Sequence, residues 1–203
     1  MAEIKAAEVK ALRDATGAGM MEAKRALTEA DGDIEKAKDI LRVQLGAKAG
    51  KFSARAAEEG VVEAYLHTPD PNLPAKLGVM IELNCATDFV AKTERFRDLA
   101  KAICMHISFA RPVYLTRDDV PDAEVQREKE IYEKQAQAEG KPEKIWPKIV
   151  EGKLNAFFAE TCLLDQKWIR DDSKTIGDLL VEATAELQEP VKVRRFSYFK
   201  VGV

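Results

Sequence analysis

One cysteine and histidine combination and one glycine-containing loop are the parts of this chain whose residue types could perform chemistry. Cys85 and His106 could act as a nucleophile and its general base, although no orienting group or oxyanion donor is evident around them. The run Gly46-Ala47-Lys48-Ala49-Gly50-Lys51 has three residues between its glycines where a phosphate-binding loop has four. Phe52 also stands where that loop needs a Mg²⁺-binding Ser or Thr. We therefore expect a linker there and no catalytic residue, with a thiol enzyme as the alternative.

The spacing of cysteines and histidines argues against a metal site. Cys85, Cys104 and Cys162 form no CxxC pair, and His67 and His106 do not cluster with them. Zinc sites and disulfide frameworks both need closer or more numerous ligands. We expect reduced and mostly buried thiols, histidines in structural or surface roles, and neither a metal nor another cofactor.

The composition narrows the class of protein. With 203 residues, 46% of them apolar, the chain can bury a sizeable core. Its 32 basic and 35 acidic side chains give a formal net charge of −3, which does not suit a phosphate backbone, so direct nucleic-acid binding is not expected. No apolar run reaches the roughly 18 residues of a membrane helix. Transit peptides are poor in acidic residues, whereas this chain has Glu3 and Glu8 near its start. We therefore expect a soluble, unprocessed, cytoplasmic protein.

Residues 1–45 predict three short helices. Apolar residues recur at helical spacing, and breaks fall at Thr16-Gly17-Ala18-Gly19 and at Asp31-Gly32-Asp33. In the second break Gly32 suits a left-handed exit, and the Asp33 carboxylate can cap the next helix. Because so small a core is only marginally stable, we expect this module to dock onto a partner.

Residues 46–60 form a predicted linker with helical tendency, and residues 61–203 form a predicted α+β core. Runs at 61–66 and 76–83 predict a hairpin, joined by a third strand at 191–199. A bulge is expected at Arg194-Arg195, where the alternation of that strand slips. The remaining pattern predicts four helices: one after Thr93, one over 121–139, one through 145–158, and one that starts with a Thr175-x-x-Asp178 capping box.

Two distant segments carry the most specific information. One is Leu12–Leu27, which contains Thr16-Gly17-Ala18-Gly19-Met20-Met21, and the other is Asn84–Ala91, which contains Thr87-Asp88-Phe89-Val90. Together they closely resemble the elongation factor Ts family, the guanine-nucleotide exchange factors of the translational GTPase elongation factor Tu. The resemblance continues into Glu139-Gly140-Lys141-Pro142 and Val193-Arg194-Arg195-Phe196, so it covers nearly the whole chain.

The resemblance implies a fold and a function. The fold would be a ubiquitin-associated-like three-helix domain at 1–45, a linker, and a core with a small three-stranded antiparallel sheet flanked by helices. The function would be to bind GDP-loaded elongation factor Tu, promote GDP release and allow GTP reloading. A plain interaction module that binds ubiquitin-like partners through its N-terminal domain is the competing interpretation.

The resemblance also assigns roles to particular residues. By residue type alone Phe89 would be a core aromatic, because most Phe side chains are buried. The resemblance instead implies that Thr87, Asp88, Phe89 and Val90 form a tip that enters the GTPase. Phe89 would be the wedge that disturbs the Mg²⁺ site of the partner, with Asp88 as its polar neighbour.

The same resemblance implies a docking surface formed by Leu12, Arg13, Met20 and Met21. Two adjacent Met residues cannot both point inward from one helix, so at least one is expected to be exposed. Arg13 could alternatively be an ordinary solvated helix residue.

Compact members of the family can form homodimers linked by a cysteine in the final strand. Ser197 stands at that position here, which excludes a disulfide there, while a non-covalent homodimer through the sheet stays open. The turn Leu187-Gln188-Glu189-Pro190-Val191 departs from the usual Gly-Glu-Asn type, and the proline-rich loop at 68–74 is longer than in close relatives.

Overall fold

The computed structural model describes residues 4–16, 18–68, 70 and 72–202. Gly17 of the first predicted helix break and Pro69 and Pro71 of the proline-rich loop lie outside the described residues. Helices α1 to α8 span Ala6–Thr16, Met20–Glu29, Ile34–Ser53, Asp88–Ala91, Glu94–Ala110, Asp122–Ala138, Trp146–Thr161 and Ile176–Leu187. Strands β1 to β5 span Glu59–His67, Leu77–Cys85, Lys167–Trp168, Asp171–Thr175 and Lys192–Lys200. The predicted α+β class is confirmed.

Helices α1, α2 and α3 pack into a small module with its own apolar core. The predicted break between the second and third helices is confirmed, since Gly32 has a left-handed φ of 86°. One carboxylate oxygen of Asp33 accepts the backbone N–H groups of Glu35 and Lys36 at 3.0 and 3.1 Å, which caps α3 as expected. Four members of this core have no exposed surface: Ala23, Ala26, Leu27 and Ala37.

Helix α3 is longer than the sequence indicates. It continues through residues 46–53 of the predicted linker, so that residues 54–58 connect it to β1. The run Gly46 to Lys51 lies inside this helix, where backbone N–H groups bond to carbonyls four residues earlier. Those N–H groups are therefore not available to bind a phosphate, and the glycine-containing run is not a nucleotide loop.

The predicted three-stranded antiparallel sheet is confirmed, with the order β1-β2-β5. The bulge is also where the sequence places it: Glu82 pairs with Arg195 while Leu83 pairs with Val193, so Arg194 is the extra residue. The inner face of β2 packs against α5 and forms the main core with it. The fully buried residues of this core include Ile81, Leu83 and Cys85 of β2 and Phe96, Ile103 and Ile107 of α5.

The helices of the core also follow the predicted pattern. Helix α5 begins after Thr93, whose hydroxyl accepts the Phe96 N–H at 3.3 Å, and ends at left-handed Arg111. Helix α6 is largely solvated and packs on α7. The short hairpin of β3 and β4 was not predicted, because β3 has only two residues and Thr175 is the one β-branched or aromatic residue in the polar strand β4.

Helix α8 begins with the predicted capping box. The Asp178 N–H donates to the Thr175 hydroxyl, and the Thr175 N–H donates back to Asp178 Oδ2, both at 3.0 Å. The Arg42 guanidinium of α3 donates to both oxygens of the same carboxylate at 2.9 Å. The Asp178 side chain therefore caps α8 and links the N-terminal module to the core, and the sequence did not predict this link.

The two histidines have contrasting environments. His106 is fully buried, and its Nε2 lies 3.0 Å from Oε1 of Gln166, whose Nε2 in turn donates to the Glu160 carbonyl. Burial lowers the pKa of His106, and the hydrogen bond to Gln166 opposes this shift only in part. His67 is the exposed last residue of β1.

We predict that His106 makes the stability of this protein depend on pH. Since its pKa is lower in the folded chain than in the unfolded chain, the unfolded chain binds the proton first as pH falls below about 6.5. The free energy of unfolding measured in urea should therefore decrease from pH 7.5 to pH 5.5. In His106→Gln this part of the decrease should disappear.

The matched control is His67→Gln, because the chain has 2 histidines and His67 is the exposed one. This control should keep the pH dependence of the unaltered protein. An identical decrease in His106→Gln and in the unaltered protein would show that His106 is not the titrating group.

Candidate functional site

The segment predicted to be the tip is a short turn that leaves the end of β2. Thr87 caps α4, with its hydroxyl oxygen 3.4 Å from the Val90 N–H, and the Thr93 hydroxyl donates to the Val90 carbonyl at 2.8 Å. Val90 packs partly against the main core and Ala91 is buried. The turn is therefore anchored on one side by its own caps and by core contacts.

Phe89 projects from this turn into solvent. Its side chain is 80% exposed, so the interpretation of Phe89 as a core aromatic is wrong. The capped one-turn helix directs Val90 and Ala91 inward and leaves Phe89 on the opposite side. Covering such a ring completely contributes about 1.5–3 kcal/mol, which makes it a strong contact for a partner.

Asp88 lies beside Phe89 and stays charged. Its carboxylate pairs with Lys92 one turn later along the chain. The hydrogen bond from the Lys92 ammonium lowers the pKa of Asp88 below its usual value. An anionic group is thus presented next to the exposed aromatic ring.

A further carboxylate, from the segment between α8 and β5, contacts the start of the tip. Oε2 of Glu189 accepts the N–H groups of Ala86 and Thr87, each at 3.1 Å, and Oε1 accepts the Thr87 hydroxyl at 2.6 Å. The unusual turn at 187–191 is visible in the sequence, but its contact with the tip is not. No local pattern could have done so, because Glu189 is 102 residues away from Thr87.

The predicted docking residues divide into two groups. Met20, Met21 and Arg13 are exposed, the two methionines by 49% and 69%. Leu12 is 1% exposed and belongs to the core of the three-helix module, so its prediction as a docking side chain is corrected. The reason is helical geometry: Leu12 follows Val9 by three residues and shares its inward face.

The two methionines line a cleft of about 850 Å³ between the N-terminal module and the core. Its opposite wall comes from α5 and α8 and includes Arg95 and Glu186, which form an ion pair at 2.8 Å. Arg95 lies in the first turn of α5, the helix that directly follows the tip. The docking residues and the tip are thus connected through the same two helices.

The two residues of the thiol enzyme alternative have separate hydrogen-bond partners. Cys85 donates its thiol proton toward the Thr87 carbonyl at 3.2 Å, whereas His106 bonds to Gln166. Both side chains are fully buried, and burial raises the pKa of the Cys85 thiol. The structure therefore does not pair these residues as nucleophile and base.

The remaining predictions about sites concern thiols, metals and membranes. All three cysteines are free and buried, as predicted. Within the described part of the chain, no group of three or more His, Cys, Asp or Glu side chains is arranged to hold a metal ion. None of the described helices combines the length and apolarity that crossing a membrane requires.

Comparison with known proteins gives a consistent result across the chain. A family model described as "Elongation factor TS" matches residues 5–203. A protein named "Elongation factor Ts" from Caldanaerobacter subterraneus is 51% identical over 199 residues, which are 98% of this chain and 97% of that protein. Proteins of the same name from Frankia alni and Thermosipho melanesiensis are each 49% identical, covering 99% and 98% of this chain and 98% and 99% of their own lengths.

Proposed function

The chain belongs to the elongation factor Ts family, the nucleotide-exchange factors of elongation factor Tu, and we propose that it releases GDP by inserting Phe89 into that GTPase. The observation that carries this proposal is the exposure of Phe89 on an anchored turn. The Thr87 and Thr93 hydroxyls fix the turn that carries the exposed Phe89 ring, and an exposed apolar side chain of this kind is typical of a surface that binds another protein.

Release follows from differential binding. A factor that binds the nucleotide-free GTPase more tightly than the GDP form must weaken GDP binding by the same ratio. Burying one Phe contributes about 1.5–3 kcal/mol, and about 1.4 kcal/mol corresponds to a tenfold change. GDP is held largely through its phosphates and Mg²⁺, so displacing the groups around Mg²⁺ supplies the rest of the effect.

We infer that the protein works by binding alone, with no catalytic residue and no cofactor. Its candidate nucleophile and base are buried in separate hydrogen bonds, which supports this reading. The site of action is the cytoplasm, where the partner GTPase serves translation. Asp88 adds a charged contact beside the wedge, while Thr87 and Val90 shape the turn.

Met20, Met21 and Arg13 form the proposed docking surface for the GTPase. Adjacent exposed methionines offer flexible, polarizable area that adapts to a partner surface. They line the cleft whose other wall belongs to the helices that support the tip. Docking there would place the partner next to the wedge.

The first prediction concerns the wedge. Phe89→Ala should slow the release of fluorescent GDP from elongation factor Tu at least tenfold, because the buried ring supplies about 1.5–3 kcal/mol of differential binding. Its thermal midpoint should not change, since the ring is 80% exposed in the free protein. Stopped-flow chase with unlabelled nucleotide measures the rate.

Phe109→Ala is the matched control for this experiment. Phe109 is 76% exposed near the C-terminal end of α5, whereas the tip precedes the N-terminal end of that helix. The control variant therefore loses the same kind of exposed ring at a position away from the tip. This variant should release GDP at the unaltered rate. If Phe89→Ala also kept the unaltered rate while binding normally, Phe89 would not be the wedge.

The docking surface makes a different kinetic prediction. The double variant Met20→Ala, Met21→Ala should raise the concentration of exchange factor needed for half-maximal release by roughly tenfold or more. Its maximal rate should persist, because uniform binding affects KM while interactions made on the way to release affect kcat. A loss confined to the maximal rate would assign the methionines to the wedge step instead.

Val43→Ala provides the control within the same module, since Val43 is 73% exposed on α3. It should leave both kinetic constants unchanged. Any comparable effect of Val43 would mean that the docking surface is not centred on the methionines.

We further propose that the protein forms a non-covalent homodimer through the outer face of its sheet. That face carries apolar side chains exposed by 48–69%, contributed by all three strands: Val62, Leu66, Met80 and Phe199. The registers Ala64 to Met80 and Gly78 to Phe199 bring them to one surface. A second copy would cover this face with the same apolar residues.

Sedimentation velocity tests the homodimer. The unaltered protein should sediment as a dimer at micromolar concentration, and Met80→Glu should sediment as a monomer, because a charge at the centre of the face cannot be buried unpaired. Val43→Glu, which adds the same charge on α3, should remain dimeric. A monomer for the unaltered protein would refute the arrangement.

A further inference from the structure

We propose that Glu189 is a positioning residue for the tip. Its carboxylate holds residues 86 and 87 in the conformation that exposes Phe89, and Glu189 influences GDP release only through Phe89. The functional half of this inference, that Glu189 speeds GDP release, rests on the proposed wedge function of Phe89. Its structural half, that Glu189 orders the tip, concerns the free protein alone.

Three donors converge on this carboxylate. The N–H groups of Ala86 and Thr87 both reach Oε2 at 3.1 Å, and the Thr87 hydroxyl reaches Oε1 at 2.6 Å. Hydrogen bonds to an ionised acceptor are roughly twice as strong as neutral ones. Since two successive N–H groups point at one oxygen, the orientation of the backbone where it leaves β2 is set by Glu189.

The effect passes from Glu189 to the helix that carries Phe89. A hydroxyl has one proton, and that of Thr87 is donated to Glu189. Its oxygen then faces the Val90 N–H, 3.4 Å away, as the cap of α4. Glu189 therefore selects the hydroxyl orientation that caps the turn under Phe89.

Glu189 is itself held on a rigid support. Gln188 before it ends α8 in a left-handed conformation with φ of 57°. Pro190 after it is fully buried, and the Val191 N–H donates to the Thr184 hydroxyl at 3.1 Å. The residues before and after Glu189 are both held by the core, so the Glu189 carboxylate has a fixed position relative to the core and can fix the tip in turn.

The expected advantage is preorganisation. If the tip sampled several conformations, only the fraction with Phe89 correctly presented could bind, and the apparent affinity would fall by that fraction. Ordering the tip before binding avoids this loss. Replacing Glu189 should therefore slow GDP release from the GTPase, although no atom of Phe89 is removed.

Amide hydrogen exchange in the free protein tests the structural half. In Glu189→Ala the N–H groups of Ala86 and Thr87 should exchange about tenfold faster or more, because each loses a bond to a charged acceptor. The Ile81 N–H in the middle of β2 should exchange at its unaltered rate. Glu189→Gln keeps a carbonyl acceptor, should show an intermediate effect, and serves if the Ala variant does not fold.

A double-variant cycle on GDP release tests the functional half. Glu189→Ala alone should slow release about tenfold. In a chain that already carries Phe89→Ala, adding Glu189→Ala should have no further effect, since Glu189 acts through that ring. Glu133→Ala is the matched control, because it removes the same carboxylate from an exposed position on α6, outside the tip and the docking cleft, and it should release GDP at the unaltered rate.

The outcomes separate this inference from the wedge proposal. Unchanged exchange of the Ala86 and Thr87 amides, or independent effects of the two substitutions on release, would overturn the positioning role of Glu189. Unchanged release in Phe89→Ala alone would overturn the wedge, and the amide measurement would still decide whether Glu189 orders the tip. Accelerated amide exchange with normal release by Glu189→Ala would overturn only the functional half.

Discussion

The structure depends on how helix α8 is held at its two ends. At the start, Asp178 closes the capping box and accepts both hydrogen bonds from Arg42 of the N-terminal module. Just past the end, Glu189 accepts three hydrogen bonds from the base of the tip. One helix therefore sets the position of both the N-terminal module and the tip relative to the core.

Fixing both surfaces matters for the proposed function, which depends on binding and on the insertion of Phe89 into the GTPase. An isolated exposed ion pair contributes at most about 1 kcal/mol, so the Arg42 contact orients the module while the packing of α3 on α8 holds it. A docking surface that moved freely relative to Phe89 could bind the GTPase without forcing the ring into it. In the proposed mechanism, a fixed distance between the docking surface and Phe89 lets the binding energy of docking favour the insertion of the ring.

The sheet contributes the direction of the tip. Its middle strand, β2, buries Ile81, Leu83 and Cys85 against α5 and continues directly into the turn that carries Phe89. Since β2 is paired on both sides, the point where the chain leaves it is well defined. The same strand has a partly apolar outer face, which links the tip to the surface proposed for the homodimer.

Local patterns in the sequence were enough to predict most of the helices, the hairpin, the caps at Asp33 and Thr175, and the bulge at Arg194-Arg195, because each depends on residues within a few positions. Tertiary structure alone decided that Leu12 is core and that α3 continues through residues 46–53. It also decided between the core position that residue type favours for Phe89 and the exposed position that the resemblance implies. It also decided that Glu189 meets Thr87, 102 residues away, and Arg42 meets Asp178, 136 residues away. Periodicity and capping report on neighbours in the chain, whereas these contacts arise only when packed elements bring distant side chains together.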